Sequence, residues 1–133
     1  MSRKQEAIKL KLEKSESMMM AEVTTLLQNK FYGTAINRLY YSCYHVTKAL
    51  LLTKELVSKT HSGVGNLLRE HFVQKDLFDT TQASYFSKLM DKRMESDYDD
   101  TLITDETVVQ TLLEPAKAYV EYVTKKVEEY LNN

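Results

Sequence analysis

The chain has 133 residues, 43% of them hydrophobic, and a formal net charge of -1. That length suits one domain burying roughly two-thirds of its extended surface, and that charge excludes a protein that coats nucleic acid by bulk electrostatics while leaving room for a local basic cleft. Three glycines and one proline favour long helices with short joints, and the lone cysteine, Cys43, excludes an intrachain disulfide or a cysteine zinc cluster.

No apolar run approaches the about 18 residues of a membrane span, and no leader pattern follows the basic start. The expectation is a soluble protein of the reducing cytoplasm. Residues 3 to about 28 read as the first helix, since Ile8, Leu12, Ser15, Met19, Val23 and Leu26 recur at three- and four-residue steps. Lys4, Lys9, Lys11, Glu13, Lys14 and Glu16 dress its other faces. The triple Met18-Met19-Met20 cannot all face one core, so part of it is expected against another helix or a partner subunit. A membrane-surface role is opposed by the interspersed acids and the missing aromatic anchor.

Asn29-Lys30 makes a joint, and a second helix is expected from about 31 to 54. Gly33 and Ala35 suit close approach by a neighbour, and Ile36, Leu39, Cys43, Val46 and Leu50 form its packing stripe. Arg38 and His45 are seven residues apart, which on a helix brings them within about 20° of one direction and roughly 10 Å apart along the axis. Arginine offers a fixed fork for phosphate, and histidine moves a proton near neutral pH. The alternative is an ion pair for Arg38 and a packing layer for His45. Tyr41 and Ser42 flank the line between them. Tyr41 or Tyr44 can stack on a nucleobase, or pack inward with the hydroxyl bonded.

Glu55 to Lys59 connects to a short third helix, capped by Ser58 or Thr60 and reaching about Val73. Gly63 and Gly65 do not form a phosphate-loop signature. His61 either bonds backbone at this joint or joins a polar cleft. The histidines at 45, 61 and 71 lack a zinc spacing, so no metal is expected. Asp79 and Gln82 make a capping box for a fourth helix through about residue 95. Arg93 and Asp97 stand one turn apart as an ion pair, and Asp97, Asp99 and Asp100 read as solvated charge rather than a magnesium site. The last helix spans about 105 to 131, with Val108, Leu112, Ala116, Tyr119, Val123, Val127 and Tyr130 inward and Pro115 kinking it without dividing it. A helical period throughout predicts one all-α domain over 1–133, an antiparallel helical bundle of four long helices plus one shorter helix.

Three stretches carry a family resemblance. The first is Ala35, Arg38, Tyr40, Tyr41, Tyr44 and His45, with Ala49 and Leu50 closing the helix. The others are Lys59-Thr60-His61 and Arg93-Met94-Glu95-Ser96-Asp97-Tyr98-Asp99. In this order and separation they resemble the HEPN family (higher eukaryotes and prokaryotes nucleotide-binding domain), in its tyrosine-pair branch, over about the whole chain. The resemblance implies a nucleotide- or RNA-binding module in which Arg38, Tyr41, Ser42, Tyr44 and His61 meet the ligand. It also implies a homodimer, a nucleotidyltransferase partner in a toxin–antitoxin-like pairing, and a structural role for Arg93, Asp97 and Tyr98 at a helix end.

The family includes metal-independent ribonucleases with an arginine, four to six residues, then a histidine, often paired across a dimer. Arg38 and His45, with six residues between them, would be that catalytic pair. The 2'-hydroxyl of RNA is an internal nucleophile, so no cofactor is implied. Leu39 stands where the family places a polar residue. Binding module, endoribonuclease and structural or protein-interaction domain all remain open on the sequence.

Overall fold

The computed structural model describes residues 2–98 and 106–132, with side chains described outside 93–98. Ser2 opens the first helix with a reciprocal cap: its hydroxyl accepts from the Gln5 N–H at 3.1 Å, and the Gln5 Oε1 accepts from the Ser2 N–H at 3.0 Å. Helix α1 (Arg3–Ser17) runs through a π-helical turn (Met18–Glu22) into α2 (Val23–Gln28). The π turn divides the methionine triple: Met19 is buried, Met18 half-buried and Met20 66% exposed. Helix α3 spans Tyr32–Thr53, and α4 (His61–Leu68) continues into a second π turn (Arg69–Val73). Helices α5 (Thr80–Tyr98) and α6 (Glu106–Leu131) complete an all-α bundle.

Three joints show how a chain with few glycines turns. Lys30, Glu55 and Asp76 adopt positive φ of 61°, 60° and 57°. The next residue then donates back into the helix just ended, Phe31 to Leu26, Leu56 to Leu51 and Leu77 to Phe72. These are Schellman closures, each with an apolar residue after the left-handed one. Thr60 caps α4 by accepting from the Gly63 N–H at 3.0 Å. A Cβ on Gly63 would press on the Ser58 and Thr60 hydroxyls that build this cap. Asp79 caps α5, its Oδ1 accepting from the Thr81 and Gln82 N–H groups at 2.7 and 3.3 Å.

Paired contacts fix the helix directions. Lys4 meets Glu55, Ser15 meets Ser42 and Glu22 meets Arg38, so α1 and α3 run antiparallel. Helices α5 and α6 do the same, through Asp79 to Tyr122 and Tyr85 to Leu112. Helix α6 runs along α3 in the same direction: Cys43 meets Ala116, Thr47 meets Tyr119, and the Lys54 ammonium lies 5.8 Å from the Tyr130 ring. The expected antiparallel order therefore holds between those neighbours and not for the α3–α6 pair. Cys43 and Ala116, both small and fully buried, let those two helices approach.

The core centres on α3. The rings of Tyr40, Phe86 and Tyr119 stack in sequence, at 5.9 Å and 4° and then at 5.3 Å and 14°. In α6 it is Val109, rather than Val108, that is buried, with Ala116, Tyr119, Val123 and Val127 behind it. The helix is continuous through Pro115, whose missing N–H falls on an exposed face. Among the described residues no helix is long and apolar enough to cross a membrane. The expected Arg93–Asp97 pair, the structural role of Tyr98, and Asp99, Asp100, Thr104 and Asp105 lie outside the described side chains.

Candidate nucleic-acid interface

Helix α3 is buried on every side but one. Between Ala35 and Leu51 its partly exposed side chains are Asn37, Arg38, Tyr41, His45 and Lys48. Their spacing of mostly three and four residues lines them along one face, beside the first helix, whose π turn brings Glu22 to Arg38. Arg38 and His45 thus share an open line, as their spacing predicts. Leu39 is fully buried. The apolar residue after the arginine faces the core, which explains why a polar one is not needed for the fold.

Arg38 has a carboxylate beside it. Its Nε lies 3.3 Å from the Glu22 Oε1, in the π turn, with the two side chains 37% and 43% exposed. A pair that open is worth at most about 1 kcal/mol, so an incoming phosphate can displace the carboxylate.

Tyr40 is fully buried, and its hydroxyl is 2.7 Å from the His61 Nδ1, a hydrogen bond between α3 and α4. His61 also stacks on Tyr44 at 4.4 Å and meets Tyr41 edge-on at 5.6 Å. Its described partners are thus rings and a hydroxyl of α3. It anchors α4 to an aromatic cluster under this open line. Tyr41 and Tyr44 in turn contact His45, at 6.2 and 5.7 Å between ring centres. Tyr44 is buried, with the Lys48 ammonium 5.2 Å from its ring. Of the two rings, Tyr41 is the partly exposed one.

Ser42 must be removed from the ligand-facing set. It is fully buried, donating to the Ser15 carbonyl at 2.8 Å, while the Ser15 hydroxyl donates to the Ser42 carbonyl at 2.7 Å. This reciprocal pair sets the register of α1 on α3. Cys43 is inert for the same reason of burial, which pushes its thiol pKa well up. Among the described residues no three metal-ligating side chains cluster.

His45 is pushed down to about 4, first by burial, then by the charges of Lys14, Lys48 and Lys11, with His61 contributing. Its imidazole is neutral at physiological pH. The unfolded chain takes up this proton near the ordinary histidine value of about 6.5, before the folded chain does. Stability should therefore fall as pH drops from about 6.5 towards about 4. His45→Gln should remove that part of the acid slope in thermal melts across this range; an unchanged slope would contradict the assignment.

Glu22 and the lysines were the residues that motif reading passed over. The signal for the lysines was present: Lys11, Lys14 and Lys48 have no carboxylate three or four residues away on their own helix.

Comparison with known proteins identifies the family. The HEPN domain model matches residues 12–128. The Methanocaldococcus jannaschii protein named "Putative toxin MJ0142" is 33% identical over 121 residues, covering 91% of this chain and 74% of its own. A second protein of that organism, "Putative toxin MJ0605", is 32% identical over 106 residues, covering 80% of this chain and 78% of its own. A Thermotoga maritima UPF0332 protein is 27% identical over 104 residues, covering 78% and 79%. With the family model matching most of its length, this chain belongs to the HEPN domain family.

Proposed function

We propose that the groove between the first helix and α3 binds RNA through its phosphates, with Arg38 as the fork and Tyr41 as the stacking surface. The observation that carries this reading is the open line of α3. On a helix otherwise buried from Ala35 to Leu51, the partly exposed positions are Asn37, Arg38, Tyr41, His45 and Lys48, none of them aliphatic. A purely structural helix has no need to reserve its one wet line for such groups.

Metal-independent RNA cleavage is the second reading. It is favoured by a neutral, partly exposed His45 on the same line as Arg38, and by the toxin names of two relatives. The first reading is tested by fluorescence anisotropy in EDTA, with single-stranded RNA and its 2'-deoxy version. Both should bind, and Arg38→Ala should weaken binding by about tenfold, the loss of one charge-assisted contact of about 1.5 kcal/mol. Failure of the wild-type protein to bind either strand would overturn the reading.

A further inference from the structure

The open line continues past His45 onto cations that are not among the residues carrying the family resemblance. Lys11 and Lys14 come from α1 and Lys48 from α3. The Ser15–Ser42 pair holds these antiparallel helices in register at 2.7 and 2.8 Å. The turn before Ser15 therefore lies opposite the turn after Ser42, which brings the lysines towards one another. Lys11 and Lys48 are partly buried and Lys14 is exposed. Among the described residues none of the three forms an ion pair. Glu13 and Glu16, their acidic neighbours in sequence, instead line a separate cleft against α6. The cluster is under strain of like charge: burial, then Lys48 and Lys14, lower the Lys11 pKa. Cations gathered at a cost and met by no carboxylate are matched to an anion from outside the fold.

We infer that Lys11, Lys14 and Lys48 clamp further phosphates of the strand held at Arg38, so that the groove takes a run of single-stranded RNA rather than a mononucleotide. This rests on the RNA-binding reading above. From Arg38 to Lys48 the helix advances about 15 Å, a span longer than a single mononucleotide phosphate contact requires. Tyr41 stands between the two cationic ends. An aromatic between charged ends suits unpaired bases, because a base must leave its duplex to stack on a side chain.

A salt titration tests the clamp, using a labelled single-stranded oligouridylate and, separately, uridine monophosphate. With Arg38 and three lysines engaged, log K should fall against log salt with a slope of about -3 for a single strand. The triple variant Lys11→Gln, Lys14→Gln, Lys48→Gln should reduce the slope to about -1 and bind about a hundredfold more weakly at 0.1 M salt. Each single substitution should remove about 0.7 from the slope, and the triple lysine-to-arginine variant should restore it. Relief of mutual repulsion should keep the melting temperature of the glutamine variant at or above that of wild type. Wild-type slope and affinity in the triple variant would overturn the clamp and leave the RNA-binding reading standing. Monophosphate binding as tight as the oligomer would overturn the run of nucleotides. A wild-type protein that binds no RNA would remove the reading itself.

Discussion

Tyr119→Ala should destabilise the protein by about 3–5 kcal/mol, the range for deleting a large aromatic from a packed core. Native domains have only about 5–15 kcal/mol in hand, so this variant should be largely unfolded at physiological temperature. Tyr119 is fully buried where α3, α5 and α6 meet. Its ring stacks on Phe86 at 5.3 Å, and its hydroxyl donates to the Thr47 Oγ1 at 2.6 Å, since the Thr47 hydrogen goes to the Cys43 carbonyl. Truncation removes the last ring of the Tyr40–Phe86–Tyr119 stack and leaves a cavity that three helices cannot close together. Tyr119→Phe should cost much less, about 0.5–1.5 kcal/mol. The Thr47 hydroxyl keeps its bond to the Cys43 carbonyl at 2.7 Å, so no buried group is stranded. Urea unfolding of both variants checks the pair; a Tyr119→Ala protein with a near-wild-type midpoint would refute the central role given to this ring.

What was legible in the sequence, and what was not, follows from the range of the forces involved. Periodicity is local, and Ile36, Leu39, Cys43, Val46 and Leu50 are all buried as their spacing requires. Caps are local too, and Thr60 and Asp79 cap the helices they precede. The shared line of Arg38 and His45 needed only helix geometry. Pairings between residues on different helices were not legible. Ser42 and Thr47 carry hydroxyls that suit water, yet both are fully buried because Ser15 and Tyr119 satisfy them. Tyr40 and His61 meet across 21 positions, and Glu22 reaches Arg38 only because the Ser15–Ser42 pair sets the register. Helix ends at Lys30, Glu55 and Asp76 lack the glycine that signals a left-handed stop. The parallel course of α3 and α6 depends on the path of the whole chain, which no local pattern encodes.

If the groove cleaves RNA as well as holding it, His45→Ala should lower the rate by about 10²–10⁴-fold, the usual contribution of a positioned acid or base. Binding of the 2'-deoxy strand should change little, because the neutral imidazole adds no charge at neutral pH. Arg38→Ala should lower both, since a phosphate fork acts on the bound strand and on the charge that develops during attack. His45, neutral at physiological pH, is in the form that takes the 2'-hydroxyl proton. The leaving oxygen needs a proton at the same time, which one imidazole cannot readily supply while acting as base. A homodimer in which a second copy brings its own groove alongside would supply the missing donor, and this arrangement can be read directly. If each site also combines Arg38 of one copy with His45 of the other, mixing folded Arg38→Ala and His45→Ala proteins should restore cleavage above either alone, because one of the two composite sites in each mixed dimer keeps both wild-type groups. Recovery would also require a dimer by sedimentation or light scattering. A monomer that cuts RNA would confine both proton transfers to one subunit. Wild-type cleavage by folded His45→Ala would take the proton from another group altogether. A wild-type protein that binds strand after strand in EDTA and cuts none would keep Arg38 as a phosphate fork and leave His45 as a neutral wall of the groove.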